Sequence, residues 1–206
     1  ISTLRDQRVL NFAPERVTLV PGNHDRYGQA DAWARALAGP LASYAATSAS
    51  SASNVVDLGS VRLLPIDVTR PQAVTRSAGF LEGDALEALE GRLSDPTAKR
   101  TPVVIVQHHP PLHRGVGLHW LDGLIGFERL HALLERRENV QVVHGHLHRR
   151  GDRPLFGRAS RILGAPAVVE SGDEPHLRFY EVTLDGLADP APASAPALAP
   201  TIALAS

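Results

Sequence analysis

Eight of the ten histidines (His108, His109, His113, His119, His131, His144, His146 and His148) fall in one short region of a 206-residue chain. Three of them alternate in His144-Gly-His-Leu-His148, a pattern with little structural purpose. On an extended segment, residues two apart point to the same side. His146 and His148 are therefore expected to face one site together, with Gly145 letting the backbone come close to ions. Neutral imidazole is a common ligand for Zn, Mn, Fe and Ni. A second polar group, Asn23-His24-Asp25, follows Pro21-Gly22. An Asn side-chain oxygen suits harder ions, so Asn23 beside several His points to a borderline or harder metal pair. The chain has no Cys, which excludes thiolate ligands, Cys nucleophiles and disulfides.

These residues need elements to hold them. Val17–Val20 runs into Pro-Gly and the Asn-His-Asp group, Val103–Val106 into Gln107-His-His-Pro-Pro111, and Val140–Val143 into the alternating histidines. Each apolar run reads as a buried strand that delivers polar side chains at its carboxyl end. In open α/β sheets ligands bind outside those ends, so the three turns are expected to meet around metal. Helices are expected over Gly28–Ala38, Leu81–Leu93 and Leu124–Arg137, from apolar spacing and the Gly39-Pro40 stop. Val55–Leu58 and Val61–Ile66 flank Gly59-Ser60 as a hairpin. Ser43–Asn54 and His113–Gly123 read as loops, and Arg161–Leu163, Ala167–Glu170 and Leu177–Leu184 as short strands. Residues 1–185 are expected to form one domain and 186–206, almost all Ala and Pro, a disordered tail.

The formal charge of −1 offers no global field for nucleic acid, and no nucleic-acid partner is expected. No run reaches the length of a membrane span, and no signal peptide is visible, so the expected location is cytoplasmic. Each short motif has a plainer reading alone, since Asn and Asp are ordinary turn residues. Three such motifs in order, each after a buried β run, make a strong signal for a site.

Together they resemble the calcineurin-like metallophosphoesterases. Gly22–Asp25 is similar to the family's Gly-Asn-His-Asp/Glu block, His108 to its His before Pro, and Gly145–His148 to its Gly-His-x-His block. Gly79-Phe-Leu81 with the helix after it resembles a Gly-x-Leu stretch of many bacterial members. The resemblance runs from about Val17 to about Leu184. It implies a four-layer α/β/β/α sandwich with mixed sheets. It implies that Asn23, His108 and His146 bind one metal of a pair and His148 the other, the ions being Mn, Fe or Zn. His24 would then protonate the leaving oxygen, with Asp25 orienting it. The implied activity is two-metal hydrolysis of a small-molecule phosphodiester or phosphomonoester. His-His-Pro-Pro is closest to the cyclic-nucleotide and glycerophosphodiester branch.

The family also begins with Asp-x-His and Gly-Asp-x-x-Asp, and neither is present here. With Ile at position 1 and no Met, the expectation is an amino-terminally truncated chain missing the first strand–helix–strand unit. Such a chain by itself is expected to bind metal weakly and hydrolyse little. The alternative is a non-catalytic, metal-binding scaffold of the same fold. Oligomeric state is left open.

Overall fold

The computed structural model describes residues 13–49, 54–96, 100–155, 160–167, 177–190 and 201–204, the last by backbone alone. In chain order the elements are α1 (Ala32–Ala38), β1 (Val56–Asp57), β2 (Arg62–Pro65), β3 (Gly79–Phe80), α2 (Gly83–Ser94), β4 (Val103–Gln107), α3 (Val116–Asp122), β5 (Leu124–Ile125) and α4 (Phe127–Leu134). There follow β6 (Val140–His144), β7 (Gly151–Pro154), β8 (Arg161–Gly164), β9 (Arg178–Thr183), β10 (Gly186–Ala188) and β11 (Thr201–Leu204). Three 3-10 turns, Pro14–Arg16, Asn23–Arg26 and Ala42–Thr47, occupy the first part of the described chain.

The continuous apolar runs become the centre of a six-stranded mixed sheet in the order β1-β2-β4-β6-β8-β7. Strands β2, β4, β6 and β8 are parallel, and both edge strands are antiparallel. Both faces of the sheet are covered, which is why β4 and β6 carry no polar–apolar alternation. Successive side chains still point to opposite faces. Leu64, Val103, Ile105, Val140, Val142 and Ile162 pack with Leu86, Leu89 and Leu93 of α2 and Leu130, Leu133 and Leu134 of α4. Their chain neighbours Leu63, Val104, Val106, Val143 and Leu163 pack with Tyr180 of β9 and Leu187 of β10. The layers are therefore helices, the large sheet, and a three-stranded antiparallel sheet β10-β9-β11. This is a mixed α/β sandwich. Buried Gln141 ties the two sheets: Leu187 N–H donates to its Oε1 at 2.5 Å and its Nε2–H donates to the Leu187 carbonyl at 3.1 Å.

Register decides where the site forms. Gln107 of β4 stands opposite His144 of β6, so these parallel strands end side by side. The chain leaves both at the same edge, and Gly145 N–H donates back to the His108 carbonyl at 3.1 Å.

Several expectations are corrected. Val17–Val20 joins none of the sheets among the described residues. Its backbone is taken by the next loop instead: Ala49 N–H donates to Leu19 O at 2.9 Å, Leu19 N–H to Ser48 Oγ at 3.2 Å, and Thr47 Oγ1 to Val17 O at 2.6 Å. The expected loop at Ser43–Asn54 accordingly contains a 3-10 turn that buries Tyr44. The expected loop at His113–Gly123 contains α3, and the helix expected from Leu124 begins at Phe127, after β5 pairs with β3. The stretch expected to be a disordered tail contributes β10 and β11, both paired to β9. Ile1–Phe12 and most of the expected Ala167–Glu170 strand lie outside the described residues. Among those described, no helix is long and apolar enough to cross a membrane.

Candidate metal centre

Asn23, His108 and His146 converge at the carboxyl edge of β4 and β6. His108 Nε2 lies 2.8 Å from Asn23 Oδ1 and 3.3 Å from His146 Nδ1. The far side of each group fixes which atom faces in. His146 Nε2 lies 3.0 Å from the Asp122 carbonyl, which can only accept. His146 therefore carries its proton on Nε2 and turns the Nδ1 lone pair inward. Asn23 Nδ2 donates to Tyr27 Oη at 2.6 Å, which turns its carbonyl oxygen inward too. Between these two acceptors stands one proton, that of His108 Nε2.

His109 joins this group. Its ring is fully buried and lies 4.2 Å from the His146 ring, centroid to centroid. Nε2–H donates to the Ser77 carbonyl at 2.5 Å, and Nδ1 is buried without a partner. Ligand atoms of His108, His109 and His146 all lie within 4.8 Å of one another. Two glycines make room. A Cβ on Gly22 would stand 3.0 Å from the His108 ring, and one on Gly79 would stand 2.6 Å from His109 Cγ.

Burial, with the neighbouring imidazoles second, lowers His108 to about 2 and His109 to about 3. Burial likewise lowers His144 to about 4, and it lowers His146. A protonated imidazole cannot ligate, so this environment holds the cluster in its ligand form at neutral pH.

The alternating histidines reach the site by a different route from the one expected. The segment is not extended: His146 has φ 34° and His148 φ 52°, both left-handed. These backbone turns, each costing about 1 kcal/mol or more, replace strand alternation. His146 enters the cluster, whereas His148 is exposed on the wall of the adjoining cleft. His144 points elsewhere, its Nδ1 3.2 Å from the Gly145 carbonyl.

The Asn23–Arg26 turn presents its residues to different neighbours. Asn23 is buried and His24 is exposed, edge-on to the Tyr27 ring at 5.1 Å. Asp25, expected to hold the His24 ring, instead accepts the Gly22 N–H on Oδ2 at 2.8 Å. A short polar side chain three residues into such a turn readily satisfies its first free N–H. Arg26 anchors the turn through an ion pair with Asp67, with further donation to Thr69 Oγ1 at 3.2 Å and the Ala30 carbonyl at 2.6 Å.

His24, Asn23, His146 and His148 share a cleft of about 810 Å³ with Arg114 and Arg149. His113 and His119 are set apart, stacked 5.1 Å from each other; His119 and His131 pack on Phe127. The model for calcineurin-like phosphoesterases matches residues 3–150 of the chain. The chain belongs to the calcineurin-like phosphoesterase family. No curated protein matches it.

The family generally uses divalent metal ions, and the donor set suits one. Two ligands about 2.1 Å from one ion stand roughly 3.0–3.4 Å apart at octahedral to tetrahedral angles. The observed separations of 2.8 and 3.3 Å lie close to that range. Sequence reading missed the residues that orient this cluster, Tyr27, Ser77 and Asp122. They act through a phenol or a main-chain carbonyl, and main-chain carbonyls carry no signal in residue type.

Proposed function

We propose that this chain is a metal-dependent phosphoester hydrolase whose first metal site is Asn23, His108 and His146. The observation that carries the proposal is the inward convergence of Asn23 Oδ1, His108 Nε2 and His146 Nδ1 around a single proton. A divalent ion bound there, Mn, Fe or Zn, supplies Lewis acidity and an activated water. Binding would need the His108 proton moved from Nε2 to Nδ1, a change of tautomer that leaves the ring neutral. His148 on the cleft wall is the proposed ligand for a second ion. Arg149 brings positive charge to the phosphate that a substrate places in the cleft, beside Arg114, which is ion-paired with Asp122 at 2.8 Å. His24, exposed beside them, is the proposed donor to the leaving oxygen. The substrate class is a small-molecule phosphodiester or phosphomonoester.

The test is metal content. After dialysis against Mn²⁺ or Zn²⁺, the chain is expected to retain metal by elemental analysis. His108→Ala and His146→Ala are each expected to lower retention at least tenfold, with parallel loss of bis(p-nitrophenyl) phosphate hydrolysis where hydrolysis is measurable. Metal retained equally by both variants would remove this ligand set.

One observation favours a second reading, a metal-binding scaffold without turnover. Asp25 Oδ2 accepts the Gly22 N–H, so the carboxylate expected to orient the His24 ring serves the turn. Metal binding with no hydrolysis of any phosphoester offered would favour the scaffold.

A further inference from the structure

Among the described residues, seven large apolar side chains are exposed; Val74 and Leu121 line the cleft, and Val116, Leu118 and Trp120 share helix α3 with Leu121. The exposures of these five run from 37% for Leu121 to 89% for Val116. Helix α3 buries none of its residues, although four of its seven are large and apolar. Water gives no reason for such a helix, and exposed apolar side chains concentrated on one element mark a binding surface.

This apolar lip is continuous with the proposed phosphate site. Val74 and Leu121 line the same cleft as Asn23 and His146, and Asp122, at the end of α3, holds His146 through its carbonyl. The lip is also fixed in place. Arg76 Nε–H donates to the Trp120 carbonyl at 3.0 Å, and its guanidinium lies 4.6 Å from the Trp120 ring. Val74, Val116 and Leu118 offer no hydrogen-bonding side chain to the edge of a nucleobase or the hydroxyls of a sugar. They offer hydrocarbon contact only.

Building on the phosphoesterase reading, we propose that the substrate is an amphiphilic phosphoester. Its phosphate enters at the histidine cluster between Arg114 and Arg149, and its unbranched hydrocarbon chain lies along Leu121, Trp120 and Leu118. Arg149 matches the anionic head, Arg114 being ion-paired with Asp122 at 2.8 Å, and the lip matches the tail.

The test titrates the intact chain, loaded with Mn²⁺, with inorganic phosphate and with butyl, octyl and dodecyl phosphate below their micellar concentrations. Trp33 is buried and Trp120 exposed, so a change in tryptophan emission reports the lip. Affinity is expected to rise with chain length, by up to roughly fourfold per buried methylene, with a blue shift of emission. Trp120→Ala and, separately, Leu118→Ser are expected to weaken dodecyl phosphate at least tenfold and leave inorganic phosphate unchanged. Phosphate binding with no dependence on chain length would overturn this inference and leave the phosphoesterase reading standing. Failure to bind any of the phosphates would overturn both. Dodecanol binding as tightly as dodecyl phosphate would show a lip unconnected to the phosphate site. A dimer by sedimentation that buries Trp120 would assign the lip to a second copy instead.

Discussion

Asn23 and His24 are chain neighbours with opposite surroundings, and they are expected to fail differently. Asn23 is buried against His108 and His24 is exposed in the cleft. Asn23→Ala is expected to lower metal content. His24→Ala is expected to leave metal content unchanged and, where turnover is measurable, lower it by about 10²–10⁴-fold, the usual range for general acid catalysis. That loss shrinks for nitrophenyl esters, whose leaving groups need less protonation; an equal loss on good and poor leaving groups would make His24 a positioning residue. Gly79 has a different kind of importance. An added methyl would stand 2.6 Å from His109 Cγ and Nδ1, inside van der Waals contact and beside a fully buried ring. Gly79→Ala is expected to cost about 1–3 kcal/mol by overpacking and to weaken metal binding as the ring shifts toward His146. Urea melts and a metal titration check the two effects; wild-type values in both would show that the ring has room to move.

At the scale of elements, two parallel strands and one 3-10 turn build the site. The strands are locked by continuous hydrogen bonding and a shared core, whereas the turn is held mainly by side chains. Arg26 is the principal anchor, its side chain only 15% exposed. Arg26→Ala removes three sets of bonds and leaves Asp67 without its ion-pair partner. Hydrogen bonds to charged groups are worth about 1.5–3 kcal/mol, so metal affinity is expected to fall roughly tenfold or more while the sheet stays folded. Isothermal titration with Mn²⁺ and far-ultraviolet circular dichroism separate these outcomes. Unchanged affinity would mean that the Ser48 and Thr47 contacts of the preceding segment suffice.

Among the described residues, burial lowers the imidazoles of His108, His109 and His144 to about 2, 3 and 4. In the unfolded chain each titrates near 6.5. Above that pH both states are neutral at these positions and stability is at its full value. As pH falls below 6.5 the unfolded chain takes up protons that the folded chain refuses, so stability is lost with acid. His144 alone, lowered to about 4, accounts for a loss on the order of 3 kcal/mol by pH 4. The urea midpoint of the metal-free chain is expected to fall steeply from pH 6.5 to 4, and His144→Gln to flatten part of that fall. A midpoint independent of pH over this window would contradict buried neutral histidines. Metal bound to the folded state alone raises the midpoint by mass action, and a chelator reverses it.

The sequence by itself determined the buried strands β4 and β6 and the polar residues that leave them. Val103–Val106 is four apolar residues before Gln107 and Val140–Val143 is three valines and a glutamine before His144, a local signal for a buried strand. The hairpin around Gly59-Ser60 was equally legible, because Gly59 adopts φ 83° there. The amphipathic helix over Leu81–Leu93 was legible as well, forming as α2. Residue types also marked Asn23, His108 and His146, and the register of β4 against β6 brings the two histidines together. What only the tertiary structure decided rests on partners distant in the chain. Val17–Val20 has the composition of a strand, but residues 47–49 took its backbone groups before any sheet neighbour could. Ser77 and Gly79, some thirty residues away, set His109 in the cluster, whereas His131 packs edge-on against Phe127. The exposure of α3 was hidden for the same reason. An apolar pattern shows that a segment seeks a partner, and only the folded chain shows that no described part of it supplies one.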